Sequence, residues 1–282
     1  STLFPYTTLF RSETLPDPHT GETITHAERL RDIIGEMEMA DKVGLDVYAV
    51  GEHHRSDYAV SAPEVILAAG AARTSSIRLS SAVTVLSSDD PVRVHERFAM
   101  LDGISGGRAE IMAGRGSFIE SFPLFGYDLN DYDELFEEKL ELLLQLQKGG
   151  PIHWEGKHRA PINGLEVFPR PEQTEMPIWI ASGGTPDSTV RAGKLGLPIA
   201  LAIIGGSPRN FAPLVELYKQ TAAHAGHRIE SLGIASHSHG FVWDTDEEAA
   251  DLFFPSTQQG MNKIGSERGW GNYTRRSFDI AR

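Results

Sequence analysis

The chain has 282 residues, 40% hydrophobic and 23% charged, an ordinary composition for a globular protein with a sizeable core. A formal charge of −13, with no long run of lysine or arginine, argues against a surface that binds nucleic acid by neutralising phosphates. Without cysteine there are no disulfides, thiolate zinc sites or cysteine nucleophiles, which fits a cytoplasmic protein, and no apolar run approaches the roughly 20 residues of a membrane helix.

Residues 1–12, STLFPYTTLFRS, lack the charged start and small-residue cleavage site of a signal peptide. From Thr2 to Ser12 they resemble the translation of a common sequencing adapter and are read as an assembly artefact, the alternative being a real strand and turn. Residues 25–43 carry the apolar stripe Leu30, Ile33, Ile34, Met37 and Val43, and Thr25 and Glu28 have capping-box spacing, so a helix is expected. LDVYAV, residues 45–50, suits a buried strand. The pair repeats as an alanine-rich helix over 62–74 and a strand over 77–86. It repeats again as a helix over 91–105, with Pro91 at its first position, and a strand over 108–116 running into glycines. Residues 131–147 predict a long acidic helix, read as a solvated face with lysine partners. Residues 151–171 break the rhythm and read as a hairpin insertion. Strands over 177–184, 197–206 and 234–243 alternate with helices starting at 186, 211 and 247, and the chain stops at FDIAR without a closing element.

At least six strands thus alternate with helices, each strand apolar on both faces and leading into a polar or glycine-rich loop, which implies a parallel sheet covered by helices. A doubly wound sheet would carry GxGxxG after its first strand, and that fingerprint is absent. Polar groups lie at the ends of many strands, at GEHH, SS, GRG, SGGT, GG and HSH, as in a barrel. The expected fold is α/β, a TIM-barrel-like domain over residues 13–282.

Glu52, His53, His54 and Asp57 crowd the end of the first strand. Adjacent strand residues point to opposite faces, so a two-histidine metal centre is awkward there. A structural imidazole or an acid–base group is the better fit. In GGTPDST, Gly183 and Gly184 free the backbone to expose N–H groups, Thr185 suits an N-cap and Pro186 a first helical position. That is a loop able to bind a phosphate monoester, or simply a capped loop. Arg115, followed by Gly116 in GRGSF, either holds a phosphate or carboxylate or braces its loop. Two candidate anion sites on one face suggest a phosphorylated ligand. His237 and His239 share a strand face but have no third ligand at a recognisable spacing, His153 and His158 read as surface residues, and no metal is assigned.

GLDVYAVGEHH, IRLSSAVTVL, DPVRVHERFAMLDGISGGRAEIMAGRGSF, LFGYD and PIWIASGGTPDS, in that order over residues 30–240, resemble the bacterial luciferase-like flavin-dependent monooxygenases. The likeness is greatest to the luciferase-like class oxidoreductases of unassigned substrate. It implies a (β/α)8 barrel with a hairpin insertion, binding FMN at the carboxyl ends of the strands. Reduced FMN from a separate flavin reductase, O2 and a small organic substrate would be its reactants. By the same resemblance His53 falls on the active-site histidine that stabilises or protonates a flavin–oxygen intermediate. Ala82 and Val83 fall where a non-proline cis peptide lies beside the flavin ring, Arg115 and Gly116 on an arginine–glycine pair near the phosphate, and Gly183, Gly184 and Thr185 on the phosphate loop. A homodimer through barrel helices is implied as well. The competing readings are a deazaflavin-dependent hydride transferase, a non-catalytic flavin-binding protein and a metal-dependent hydrolase built on the histidines. Family barrels also have a strand before the first helix and a final strand and helix. Here the first is expected to be overwritten by the adapter-like segment and the last to be missing, giving an incomplete barrel and a fragment with open edges.

Overall fold

The computed structural model describes residues 12–116, 118–204 and 207–281. The adapter-like segment, apart from Ser12, and the glycine pair at 205–206 lie outside the described residues. The chain forms two compact units, one of Leu30–Ala181 and the other of the residues before and after it.

Helix α1 (His26–Lys42) starts at a reciprocal capping box: Thr25 Oγ1 accepts from the Glu28 N–H at 3.2 Å, and Glu28 Oε2 accepts from the Thr25 N–H at 2.9 Å. There follow β1 (Val47–Val50), α2 (Pro63–Ala71), β2 (Arg78–Ser81), β3 (Thr84–Val85), α3 (Pro91–Ser105) and β4 (Ala109–Gly114). β1 pairs in parallel with β2, from Val47↔Arg78 to Val50↔Ser81, and β2 with β4 at Leu79↔Ala109. The strand expected over 77–86 is two short strands, because the chain leaves the ladder at the cis Ala82–Val83 peptide and rejoins it as β3, paired with β4 at Thr84↔Ala113. Every residue of β4 is buried, as a central parallel strand requires. Asp90 caps α3 by accepting from the Val92 N–H at 2.9 Å, Pro91 takes the first helical position and Gly106 ends the helix at φ +67°. Phe98 and Leu101 on α3 are fully buried, each worth about 1.5–3 kcal/mol relative to exposure.

Next come α4 (Ser121–Phe125), α5 (Tyr132–Lys148), β5 (Ile152–Trp154), β6 (Ile162–Leu165) and β7 (Ile178–Ser182), the last pairing in parallel with β4 at Ile111↔Ile178. β5 and β6 form the expected antiparallel hairpin, and its Ile152, Ile162 and Val167 bury against Leu142 and Leu146 of α5. The solvated reading of α5 needs correction at one residue. Lys139 lies on the leucine stripe, between Leu135 and Leu142, and is buried. Its Nζ donates to the Ser87 carbonyl at 2.6 Å and stands 3.9 Å from the Tyr127 ring centroid, and burial lowers its pKa to about 8.

In the other unit lie α6 (Pro186–Leu195), β8 (Ile199–Ile203), α7 (Ala212–His224), β9 (Ile234–Ser238), α8 (Asp246–Arg268) and α9 (Arg275–Ala281). β8 and β9 are parallel, from Ile199↔Ile234 to Ile203↔Ser238. β8 is buried on both faces, whereas β9 alternates between exposed and half-buried residues, so it departs from the expected doubly apolar strand. The polar sequence before the end of the chain also forms a helix, α9. Arg275 ion-pairs with Asp279 and Asp251, while Phe278 of α9 buries against Phe253 and Ala250 of α8. The result is an α/β fold whose parallel strands build part of a barrel-type sheet. No helix among the described residues is long and apolar enough to cross a membrane.

Candidate active site

At the carboxyl end of β1 the His53 N–H donates to the Val60 carbonyl at 2.9 Å, closing residues 53–60 into a loop. The His53 ring lies 4.1 Å from Tyr58 and edge-on to Phe118 at 5.4 Å, centroid to centroid. Both ring nitrogens are buried, and neither has a hydrogen-bond partner among the described residues. Burial lowers the His53 pKa to about 3, with Asp57 opposing the shift and His54 and Arg55 adding to it. The imidazole is therefore neutral at physiological pH, with one donor and one acceptor to offer.

His53 and Ala82 meet over Gly51, Val83 rests on Gly114, and Gly116 lies under Val85. A Cβ on Gly51 would stand 2.7 Å from His53 Nε2 and 3.0 Å from the Ala82 carbonyl oxygen, so the ring folds back toward the cis peptide. The Glu52 N–H donates to the Val83 carbonyl at 3.2 Å. The Val83 side chain fills the space above Gly114, and Gly116, at φ +80°, turns the chain under Val85. Arg115 Nη1 pairs with Asp133, and its guanidinium lies 5.1 Å from the Tyr132 ring centroid.

His54 turns away from His53, its Nε2 donating to Glu52 Oε1 at 2.8 Å and its ring lying edge-on to Phe125, so these two histidines do not converge on a metal. Arg55 is held by Asp57 at 3.0 Å and Glu120 at 2.5 Å, and stacks 4.5 Å from the Phe118 centroid. Tyr58 and Phe118, which wall His53, escape sequence reasoning. The one available signal is aromatic residues within otherwise charged or glycine-rich strand-end loops.

After β7 the chain runs through Gly183 and Gly184 into α6. Gly183 has open space where a side chain would be, and Gly184 takes φ +103°. Thr185 occupies the N-cap position, but its hydroxyl lies 2.9 Å from Ser188 Oγ and makes no capping bond to the backbone. Burial lowers the pKa of both His237 and His239, the latter to about 4. His239 lines a cavity of about 650 Å³ with Ile203, Phe241, Phe253, Tyr273 and Phe278. His153 is exposed as expected. His158, read as a surface residue, is largely covered because its Nε2 turns to Glu134 at 3.1 Å. Asp131, Glu134 and His158 bring metal-ligand atoms together, but Lys157 Nζ already holds Glu134 at 2.7 Å.

The luciferase-like monooxygenase family matches residues 7–279 of this chain. The chain belongs to that family. An uncharacterised protein of Sinorhizobium fredii is 34% identical over 240 residues, 84% of this chain and 69% of its own length. N-acetyl-S-alkylcysteine monooxygenase of Bacillus subtilis is 30% identical over 197 residues, 69% of this chain, and the match takes in 57% of that enzyme. Among solved structures, a monooxygenase from Streptomyces bottropensis superposes with a TM-score of 0.77 at 23% identity, covering 92% of this chain and 79% of the other. The oxygenating constituent of 3,6-diketocamphane monooxygenase from Pseudomonas putida, in complex with FMN, gives 0.72 at 20% identity over 94% and 80%. A coenzyme F420-dependent tetrahydromethanopterin reductase from Methanopyrus kandleri gives 0.70 at 21% identity over 91% and 72%. These likenesses identify the partial parallel sheet as that of a luciferase-like barrel. By family the chain is a luciferase-like monooxygenase.

Proposed function

We propose that this luciferase-like chain is the oxygenating component of a two-component cytoplasmic monooxygenase that takes reduced FMN from a separate flavin reductase and oxidises a small organic substrate with O2. The observation that carries the reading is His53, a neutral imidazole whose two buried nitrogens lack a partner among the described residues and whose ring lies toward Ala82 at the Ala82–Val83 peptide. A buried polar atom without a partner costs about 1–3 kcal/mol, which a ligand bearing complementary polar atoms would offset. The heteroatom edge of a flavin ring has that chemistry.

Bound in reduced form, FMN supplies the two electrons that activate O2, one oxygen atom entering the substrate and the other leaving as water. His53, neutral, would donate a hydrogen bond from one ring nitrogen or accept one at the other at the flavin edge, and Tyr58 and Phe118 would keep water from it. Gly183, Gly184 and Thr185, opening α6, would hold the phosphate through backbone N–H groups, the hydroxyl and the helix dipole. Arg115, held by Asp133, would keep the Gly116 turn in place. Val65, Met100 and Ile104 are 71%, 56% and 53% exposed on α2 and α3, which supports a homodimer through those helices.

Thr185→Ala is expected to weaken FMN about fivefold, the worth of one phosphate hydrogen bond, while riboflavin changes less than about twofold. Flavin fluorescence quenching measures both, and equal losses would remove the phosphate from this loop. Oxidation of reduced coenzyme F420 without oxygen uptake would replace the whole reading with hydride transfer.

A further inference from the structure

Glu52 has no part in the chemistry above, yet its carboxylate is nearly buried, 8% exposed, and both of its oxygens are committed. Oε1 accepts from His54 Nε2 at 2.8 Å and Oε2 accepts from the Val85 N–H at 2.8 Å. The first bond ties Glu52 to the loop that carries His53. The second reaches the segment that leaves the cis Ala82–Val83 peptide, and the Glu52 N–H holds the Val83 carbonyl on the same segment. Val83 and Val85 in turn rest on Gly114 and Gly116, where a Cβ would stand 2.8 Å and 3.1 Å from their side chains. One side chain therefore sets the relative height of the histidine loop, the cis-peptide segment and the Arg115–Gly116 turn.

We propose that Glu52 is a positioning residue that registers these three segments against one another through the reach of its two oxygens rather than through its charge. The inference rests on the reading of this surface as the flavin site, but its structural half can be tested without flavin. Glutamine keeps the length, an oxygen for the Val85 N–H and an amide for the His54 ring, and gives up the charge. Aspartate keeps the charge but is one methylene too short to span both partners.

The test compares Glu52→Gln with Glu52→Asp in two measurements, amide hydrogen exchange at Val85 without flavin and the dissociation constant for FMN. Glu52→Asp is expected to speed Val85 exchange about tenfold and weaken FMN about tenfold, while Glu52→Gln stays within about threefold of the wild type in both. The reverse order would make charge the operative property and overturn the proposal. So would a glutamine variant that folds but loses Val85 protection, or an aspartate variant that keeps it. If the wild type binds no FMN, the functional reading fails, and the exchange pattern at Val85 still decides whether Glu52 registers the segments.

Discussion

His53→Ala is expected to weaken reduced FMN by no more than about tenfold, the worth of one or two hydrogen bonds, while product per FMN oxidised falls about tenfold or more, with hydrogen peroxide rising to match. A ring making at most one or two hydrogen bonds adds little to the binding of a cofactor held by its phosphate. Proton placement and water exclusion at the reacting edge, by contrast, are typically worth about a hundredfold or more. The pH dependence has a definite sign. Burial holds the folded-state pKa near 3, below the ordinary value of 6.5, so the imidazole stays neutral above about pH 4 and the coupling yield should not change through His53 between pH 5.5 and 8. The same depression makes the unfolded chain bind the extra proton between about pH 3 and 6.5, so His53 lowers stability as the pH falls through that range. An alanine variant that couples FMN oxidation to product as well as the wild type would take His53 out of the chemistry.

Gly114→Ala is the second large effect. The new methyl would sit 2.8 to 3.0 Å from Cγ1, Cγ2 and Cβ of Val83, so no rotamer of Val83 clears it and the backbone of residues 82–85 must move. Overpacking of this kind costs about 1–3 kcal/mol, and FMN should weaken about tenfold or more because the displaced segment borders His53 and Gly116. Gly103→Ala is the control. It lies in α3 with open space around its Cβ and should be neutral or up to about 1 kcal/mol stabilising. Thermal unfolding and FMN titration of the pair separate the two cases, and a Gly114 variant that binds FMN normally would contradict the contact between β4 and the cis-peptide segment as a part of the site.

Much of the fold is legible in the sequence, since it depends on periodicity. The stripe over 25–43, the capping box at Thr25 and Glu28, the Pro91 and Pro186 helix starts and the apolar strands set elements within about three residues of where they lie, save the last strand, expected over 234–243 and found over 234–238. What is not legible depends on partners distant in sequence. The break between β2 and β3 is hidden in an unbroken β-forming run. Lys139 reads as solvated because composition does not say that its carbon chain lies on the buried stripe. The Arg275 helix reads as polar tail because its ion pairs reach back to Asp251. Among the candidate site residues, sequence motifs bring out His53, Gly116 and, in the other unit, the Gly183–Gly184 pair, but Tyr58, Phe118 and the double role of Glu52 arise only when strand ends meet. Thr185 shows the limit of motif chemistry, a good N-cap residue whose hydroxyl turns to Ser188 instead.

The central claim is that the folded chain holds reduced FMN. It is tested most directly by thermal unfolding under anaerobic conditions, with and without reduced FMN, since a ligand specific for the folded state stabilises it by mass action, about 2.7 kcal/mol at a hundred times its dissociation constant. The predicted result is one cooperative transition whose midpoint rises saturably with reduced FMN and rises less with reduced riboflavin. A cooperative transition that stays in place at every FMN concentration would contradict the claim.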